Sequence, residues 1–488
     1  MGYLYSRDDF QAIAGREGAL FAAVAAEAAS LGQRVYVVGG YVRDLMLGRK
    51  NADIDLVTVG AGAVLAQAVA KRLKASQPHV YKSFGTAGFR YHGLEVEFVG
   101  ARKESYRSNS RKPIVEAGTL EEDLSRRDFT INALAISLNQ DDYGTLIDLF
   151  SGEDDMEAAL LRTPLEPVQT FSDDPLRMMR AVRFVAQLGF RLDSEAFAAM
   201  QSMASRLSIV SVERVMDEFN KILLAPVPSI GLYLLSAGGL MQLVLPELEA
   251  LKGVDAVDGQ AHKDNFGHTL QVVDNVAAAG ADLWLRWAAL LHDIGKAPTK
   301  RFVSGQGWTF HAHEFVGAQM VGRIFRRLHL PLNEKCKYVE KLVSLHMRPI
   351  ALVDDAVTDS AVRRLLFDAG DDAEALMRLC EADITTKNPR TAARYMGNFL
   401  RVRRKMVDLE ARDRVRNFQP PVTGEEIMAR YHIGPCRAIG TIKQAIKDAI
   451  LDGIIPNEKE SALQYMEQVA VREGLVSPTV GGQTPEEC

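Results

Sequence analysis

Cysteine is scarce: there are four in 488 residues, Cys336, Cys380, Cys436 and Cys488, with no Cys-x-x-Cys pair. This spacing excludes a zinc ribbon and a disulfide framework, and fits a reducing compartment. Long apolar runs are also missing. The longest uncharged stretch, Ala225 to Pro246, is interrupted by Pro226, Pro228, Gly231, Gly238 and Gly239. It reads as buried helices with a turn, not as a membrane span. The N-terminus carries Arg7, Asp8 and Asp9 without an apolar h-region, so no signal peptide and a cytoplasmic location are expected. Positive charge is not in excess, because the net charge is −5. That argues against a non-specific nucleic-acid coater but leaves room for a basic patch on one face. What remains is an ordinary globular composition, 47% hydrophobic and 25% charged, in a chain long enough for several cores.

The densest chemistry lies between Val35 and Thr58. Val35 to Val38 is a β-branched run ending in glycine, which predicts a buried strand. Gly39 and Gly40 predict a tight turn, and Val42 to Leu47 a short helix stopped by Gly48. A strand, a glycine turn and a helix start make a place for phosphate, with Arg43 adding positive charge beside Asp44. Asp53 and Asp55 follow in a second strand, where a period of two points both carboxylates to one face. Paired carboxylates beside a phosphate cradle suit a divalent metal joining protein to a triphosphate. Farther on, Gly85 to Gly88 reads as a turn, and Leu94 to Val99 as a strand. That strand offers a third carboxylate, Glu97, with Glu95 at the same parity. Ala101 to Thr119 is polar and basic and reads as a mobile loop.

Arg126, Arg127 and Asp128 are followed by Asn132, a spacing that places Asp128 and Asn132 on one helical face. Asp174 and Pro175 open another predicted helix. Asp174, Arg177, Arg180 and Arg183 recur every third residue and form one slowly turning stripe. An accepting carboxylate and a donating guanidinium can pair with the edge of cytosine or adenine, which offer an amino donor beside a ring-nitrogen acceptor. Guanine and uracil present a carbonyl there instead. Ser208 to Leu224 predicts an amphipathic helix opened by Ser211. With only ten histidines in the chain, the set His268, His292-Asp293, His313, His346 and Asp383 is informative. These are nitrogen and oxygen ligands suited to a divalent metal, with His311 competing with His313. From Arg323 to Arg416 the predicted helices are rich in lysine and arginine.

These motifs resemble the class II tRNA nucleotidyltransferases, which share their head with bacterial poly(A) polymerases. The family pattern Gly-Gly-x-Val-Arg-Asp-x-Leu-Leu-Gly followed by Asp-x-Asp is matched with Met46 for one leucine. Arg-Arg-Asp-x-x-x-Asn-Ala is matched at Arg126 to Ala133. The Glu-Asp-x-x-Arg motif is matched with Asp173 in place of the glutamate. The resemblance implies an α+β multidomain chain. A polymerase-β-like nucleotidyltransferase head with a small mixed sheet is expected over 1–155, and a helical neck that selects the base over 156–255. A metal-binding helical domain of HD type is expected over 256–390, a helical tRNA-binding tail over 391–473, and a disordered end over 474–488.

The implied activity is addition of CCA to the 3′ end of tRNA from CTP and ATP. Poly(A) synthesis and partial addition of A or CC are alternatives. So is an HD-type phosphohydrolase whose degenerate polymerase core only binds RNA. Asp53, Asp55 and Glu97 would hold Mg2+, Glu97 being preferred because a family glutamate stands a few residues before an arginine, here Arg102. Gly39, Gly40, Arg43, Asp44, Arg127, Asp128, Asn132, Asp174, Arg177, Arg180 and Arg183 would bind nucleotide. The loop over 101–119 would help switch from C to A. His268, His292, Asp293, His313, His346 and Asp383 would hold a divalent transition metal. No membrane or obligate protein partner is implied.

Overall fold

The computed structural model describes residues 7–13, 15–81, 86–107, 110–257, 260–262, 264–354, 358–386, 388–413, 416 and 418–475. It forms two compact units, Met1–Pro246 and Glu247–Cys488. Apart from Gly474 and Leu475, the expected disordered end lies outside the described residues.

The first unit is built on a seven-stranded mixed sheet. Its strands are β1 (Arg34–Val38), β2 (Asp53–Val59), β3 (His79–Tyr81), β4 (Thr86–Tyr91) and β5 (Leu94–Gly100). After a separate hairpin, β6 (Arg102–Arg107) with β7 (Ser110–Ala117), come β8 (Leu134–Ser137) and β9 (Leu146–Asp148). The sheet order is β3-β4-β5-β2-β1-β8-β9, antiparallel except for the β2–β5 pair. Val35, Val37 and Val38 are fully buried, as the apolar run predicts for a strand covered on both sides. Helices Gly15–Ser30 and Gly62–Leu73 pack on the sheet. Along β2, Ile54 and Leu56 are buried, while Asp53 and Asp55 share the other face with Val57, which packs against Leu124.

Three local expectations change. The turn expected at 85–88 is strand from Thr86 onward, because β4 pairs along β5 from Thr86↔Val99 to Tyr91↔Leu94. The loop expected over 101–119 is the β6–β7 hairpin, where β-branched Ile114 and Val115 suit a strand. Asp128 and Asn132 do not share a helix. The Leu120–Ser125 helix stops first, and Thr130–Asn132 is a 3₁₀ turn. Asp128 Oδ1 accepts from the Phe129 N–H at 2.9 Å, a local bond that competes with helix continuation.

The rest of this unit is helical. Leu176–Leu188 packs against Val212–Leu223 and Pro228–Ala237. The second unit is also mainly helical, and Asn265–Ala278, Leu283–Leu291, His313–Arg327, Glu334–Leu345 and Ala373–Ala382 surround its polar centre. Its long helix Pro389–Asp413 carries much of the expected basic charge. Part of that charge is matched within the unit, since Arg403 pairs with Glu381 at 2.8 Å and Lys405 with Asp359 at 2.9 Å. Among the described residues no helix is long and apolar enough to cross a membrane.

Candidate functional site

The strand register builds the first site. Asp55 lies opposite Glu97 across the parallel β2–β5 pair, and Asp53 lies opposite Glu95. On the other side of β2, Asp55 lies opposite Val38, the last residue before the glycine corner. Gly39 has φ +73°, which disfavours any side chain. A Cβ there would also stand 2.8 Å from Arg127 Nη1 and 3.8 Å from Asp55 Oδ2. The corner is therefore glycine because an arginine and a carboxylate close over it. Arg127 reaches this place from the end of the Leu120–Ser125 helix, held at 3.1 Å by Asp123, while its Nε is buried without a hydrogen-bond partner.

Burial pushes the Asp55 carboxyl above the ordinary carboxylate range, opposed by Arg127 and reinforced by Asp53. Burial also raises Glu97, with the Asp55 charge adding to it. The site thus concentrates negative charge that a bound cation would relieve, and its oxygen donors fit a hard cation. Glu95, by contrast, is paired with Arg90 on the surface.

Behind the corner lies a buried polar chain. Asn51 donates to Asp44 at 2.7 Å, and Asp44 takes the Arg43 guanidinium on both oxygens at 2.8–2.9 Å. Arg43 Nη1 donates to Asn132 at 2.8 Å, Asn132 to Asp128 at 3.0 Å, and Arg180 Nε to Asp128 at 2.7 Å. Arg43 is therefore not a free charge in the glycine corner, since Asp44 matches it inside this chain. Burial alone would raise Asp128, but the Arg180 charge and the Asn132 hydrogen bond override it and hold the carboxyl at about 2. The chain joins the Arg-Arg-Asp segment to the helix that bears the arginine stripe.

Along that helix the stripe diverges. Arg177 donates to the carbonyls of Thr170 and Arg126, Arg180 to Asp128, and Arg183 to Glu218 at 2.5 Å. Asp174 is not paired with Arg177. Its Oδ1 accepts from the Leu176 N–H at 3.1 Å and its Oδ2 from Arg214 Nη2 at 3.1 Å. Sequence reasoning missed Asn51, which stands between Gly48 and Asp53, and Phe184. The Phe184 ring lies 4.1 Å from the Arg183 guanidinium carbon, 5.1 Å from that of Arg43 and 5.6 Å from that of Arg180. Its signal was an aromatic next to the last stripe arginine.

The second unit brings all six expected ligands together. His268, His292 and Asp383 form one group and Asp293, His313 and His346 another, with ligand atoms inside each group within 4.8 Å of one another. His311 is exposed and stands outside both. Asp293 faces both groups: its Oδ2 is 3.3 Å from His292 Nε2, and its Oδ1 is 3.3 Å from His313 Nε2. The Nδ1 atoms of His292, His313 and His346 lie 2.8, 3.0 and 2.7 Å from the carbonyls of Ala289, Phe310 and Val343. Those bonds leave each Nε2 free to face the centre. His292 Nε2 is buried without a hydrogen-bond partner, an orphan that a metal would satisfy. Burial works against the charge on Asp293, yet His292, His313 and Lys296 hold it well below the usual range. Burial and the nearby His292 push His346 down to about 4. Gly295 permits the approach, since a Cβ there would lie 2.1 Å from the His313 carbonyl oxygen.

Residues 35–162 match the family described as Poly A polymerase head domain, and residues 189–252 the family described as Probable RNA and SrmB-binding site of polymerase A. Residues 265–385 match the HD domain. The chain is 35% identical over 337 residues to the multifunctional CCA protein of Pseudomonas paraeruginosa, covering 66% of this chain and 78% of that protein. It is 32% identical over 446 residues to the A-adding tRNA nucleotidyltransferase of Deinococcus radiodurans, covering 87% and 93%. Its structure is similar to that of the Bacillus stearothermophilus CCA-adding enzyme in complex with CTP, with a TM-score of 0.65 and 26% identity over 95% of this chain and all of that one. The fold is likewise that of the Thermotoga maritima CCA-adding enzyme complexed with tRNA, with a TM-score of 0.61 and 22% identity over 97% of this chain and 100% of that one.

Proposed function

The chain belongs to the tRNA nucleotidyltransferase and poly(A) polymerase family, and from that premise we propose that it adds C, C and A to the 3′ end of tRNA without a nucleic-acid template. The observation that carries this reading is one corner of the head. There Asp53 and Asp55 share a strand face, Glu97 stands opposite Asp55, and Arg127 closes over Gly39. We assign the head to 1–155, the neck to 156–255, the HD-type domain to 256–390 and the RNA-binding tail to 391–473.

Asp53, Asp55 and Glu97 would hold Mg2+. Bound there, Mg2+ would supply the charge that activates the tRNA 3′ hydroxyl for in-line attack on the α-phosphate and offsets the triphosphate. Arg127, with its unpartnered Nε, donates to the triphosphate and the departing pyrophosphate. Gly39 and Gly40 leave room for the phosphates. Arg43, Asp44, Asp128 and Asn132 keep Arg127 and the stripe helix in register. Asp174 and Arg177 choose the base, and Arg180 and Arg183 position nucleotide or primer.

At the second centre the imidazole ligands favour a divalent transition metal, and the chemistry it would support is phosphoester hydrolysis. The reactions proposed for the two centres belong to the cytoplasm.

The test is incubation of the purified chain with tRNA lacking CCA, Mg2+ and each nucleoside triphosphate in turn. Ordered addition of C, C and then A is expected. Long A tails, or phosphate release without extension, would overturn the reading. Addition of A alone, to tRNA already ending in CC, is the second reading. It is favoured by the Deinococcus A-adding relative, which aligns over 87% of this chain.

A further inference from the structure

Protein side chains that read a base edge must be fixed before the base arrives, or discrimination is lost to rotamer freedom. Asp174 is fixed, but not by the arginine of its own motif. Arg177 is buried and donates to two backbone carbonyls, Thr170 and Arg126. Asp174 is held by the helix start, where Oδ1 accepts from Leu176 N at 3.1 Å, and by Arg214, whose Nη2 reaches Oδ2 at 3.1 Å. Arg214 comes from the neighbouring Val212–Leu223 helix. That helix is pinned to the stripe helix a second time by Glu218, which accepts from Arg183 at 2.5 Å. The position of Arg214 is thus inherited from a fixed helix pair.

Resting on the nucleotide-adding reading above, we propose that Arg214 is a positioning residue for base selection. It holds Asp174 with one oxygen on the helix start and the other on a cation. A carboxylate has lone pairs to spare, so both bonds can persist while it accepts the amino group of cytosine or adenine. Uracil or guanine would bring a carbonyl against a carboxylate that cannot swing away. Without Arg214 the carboxylate keeps only its backbone bond and can turn from the wrong base. Discrimination then falls more than turnover does.

The Arg214 side chain is 45% exposed, so its ion pair adds little to folding. A change in nucleotide choice on its removal is therefore not a symptom of unfolding. The bond is single, not bidentate, so lysine can replace it.

The experiment uses the full chain, tRNA primers lacking CCA or its final A, and single-nucleotide incorporation with CTP, ATP, UTP and GTP. Arg214→Ala is expected to lower kcat/KM for CTP and ATP by about tenfold, mainly through KM, the size of losing one charge-assisted hydrogen bond. UTP and GTP incorporation relative to CTP and ATP is expected to rise, the melting temperature to stay near that of the parent, and Arg214→Lys to restore selectivity. Unchanged kinetics and fidelity in Arg214→Ala would overturn the inference. So would a loss in kcat alone accompanied by a lower melting temperature. A parent chain that adds no nucleotide would instead overturn the reading beneath it.

Discussion

The two acidic centres are assembled in opposite ways. In the head, strand register places carboxylates on one face, but Asp53 and Glu97 remain exposed and the neighbouring cation, Arg127, keeps an unpartnered Nε. In the second unit six ligands converge in two tight groups, and three of the histidines are anchored through Nδ1 on backbone carbonyls. Like-charged carboxylates repel until a cation and a polyanionic substrate join them, so the head stays open and incomplete. Imidazoles interleaved with Asp293 and Asp383 offset the carboxylate charge, so these side chains can gather beforehand. The difference teaches that the head leaves its carboxylates open for a substrate to complete, whereas the histidine–aspartate centre gathers its candidate metal ligands in advance.

The sharpest way to break that contrast is a pair of deletions. Asp55→Ala should abolish incorporation of both CTP and ATP, on the order of a thousandfold or more, because several kcal/mol of charge stabilisation is lost. Metal held by the second centre, read by elemental analysis, should not change. Asp293→Ala should do the reverse, stripping that metal while nucleotide addition persists. If either variant damages both readouts, the two centres are not independent.

A second experiment asks how register assigns the third carboxylate. Glu97→Gln should slow addition by roughly ten- to a hundredfold, since it removes one ligand charge opposite Asp55. Glu95→Gln should be close to neutral, because an exposed pair with Arg90 contributes little. Equal effects from the two would dissolve the argument from strand pairing.

The smallest expected effect is thermodynamic. Asp128 is depressed to about 2 against an ordinary value of 3.8. Its contribution, about 2 kcal/mol, is fully present above the ordinary value and is lost as pH falls from there toward 2. Asp128→Asn should therefore lower the melting temperature at neutral pH, and the gap between variant and parent should narrow on acidification. A gap independent of pH would mean that Asp128 acts through packing and not through its charge.

Much of this was legible in one dimension. The glycine corner, Asp53 with Asp55, the Arg-Arg-Asp segment and the histidine–aspartate set were all read from spacing, because side-chain parity in a strand and the scarcity of histidine carry information by themselves. The Asp128–Asn132 proximity was read correctly but for the wrong reason, as a helical face instead of a carboxylate that accepts from the Phe129 N–H and the Asn132 side chain across a 3₁₀ turn. Asn51 and Phe184 stayed invisible because their partners lie on other elements.

The sequence by itself pointed to the family and to the candidate residues of both centres, since those follow from local pattern. Only the tertiary structure decided that Glu97 and not Glu95 stands opposite Asp55, that Arg43 is matched by Asp44, that His346 completes its group, and that Asp174 answers to Arg214. Each of these is a choice among chemically equivalent partners. Such choices are settled by strand register and helix packing, where residues far apart in the chain compete for the same few ångströms.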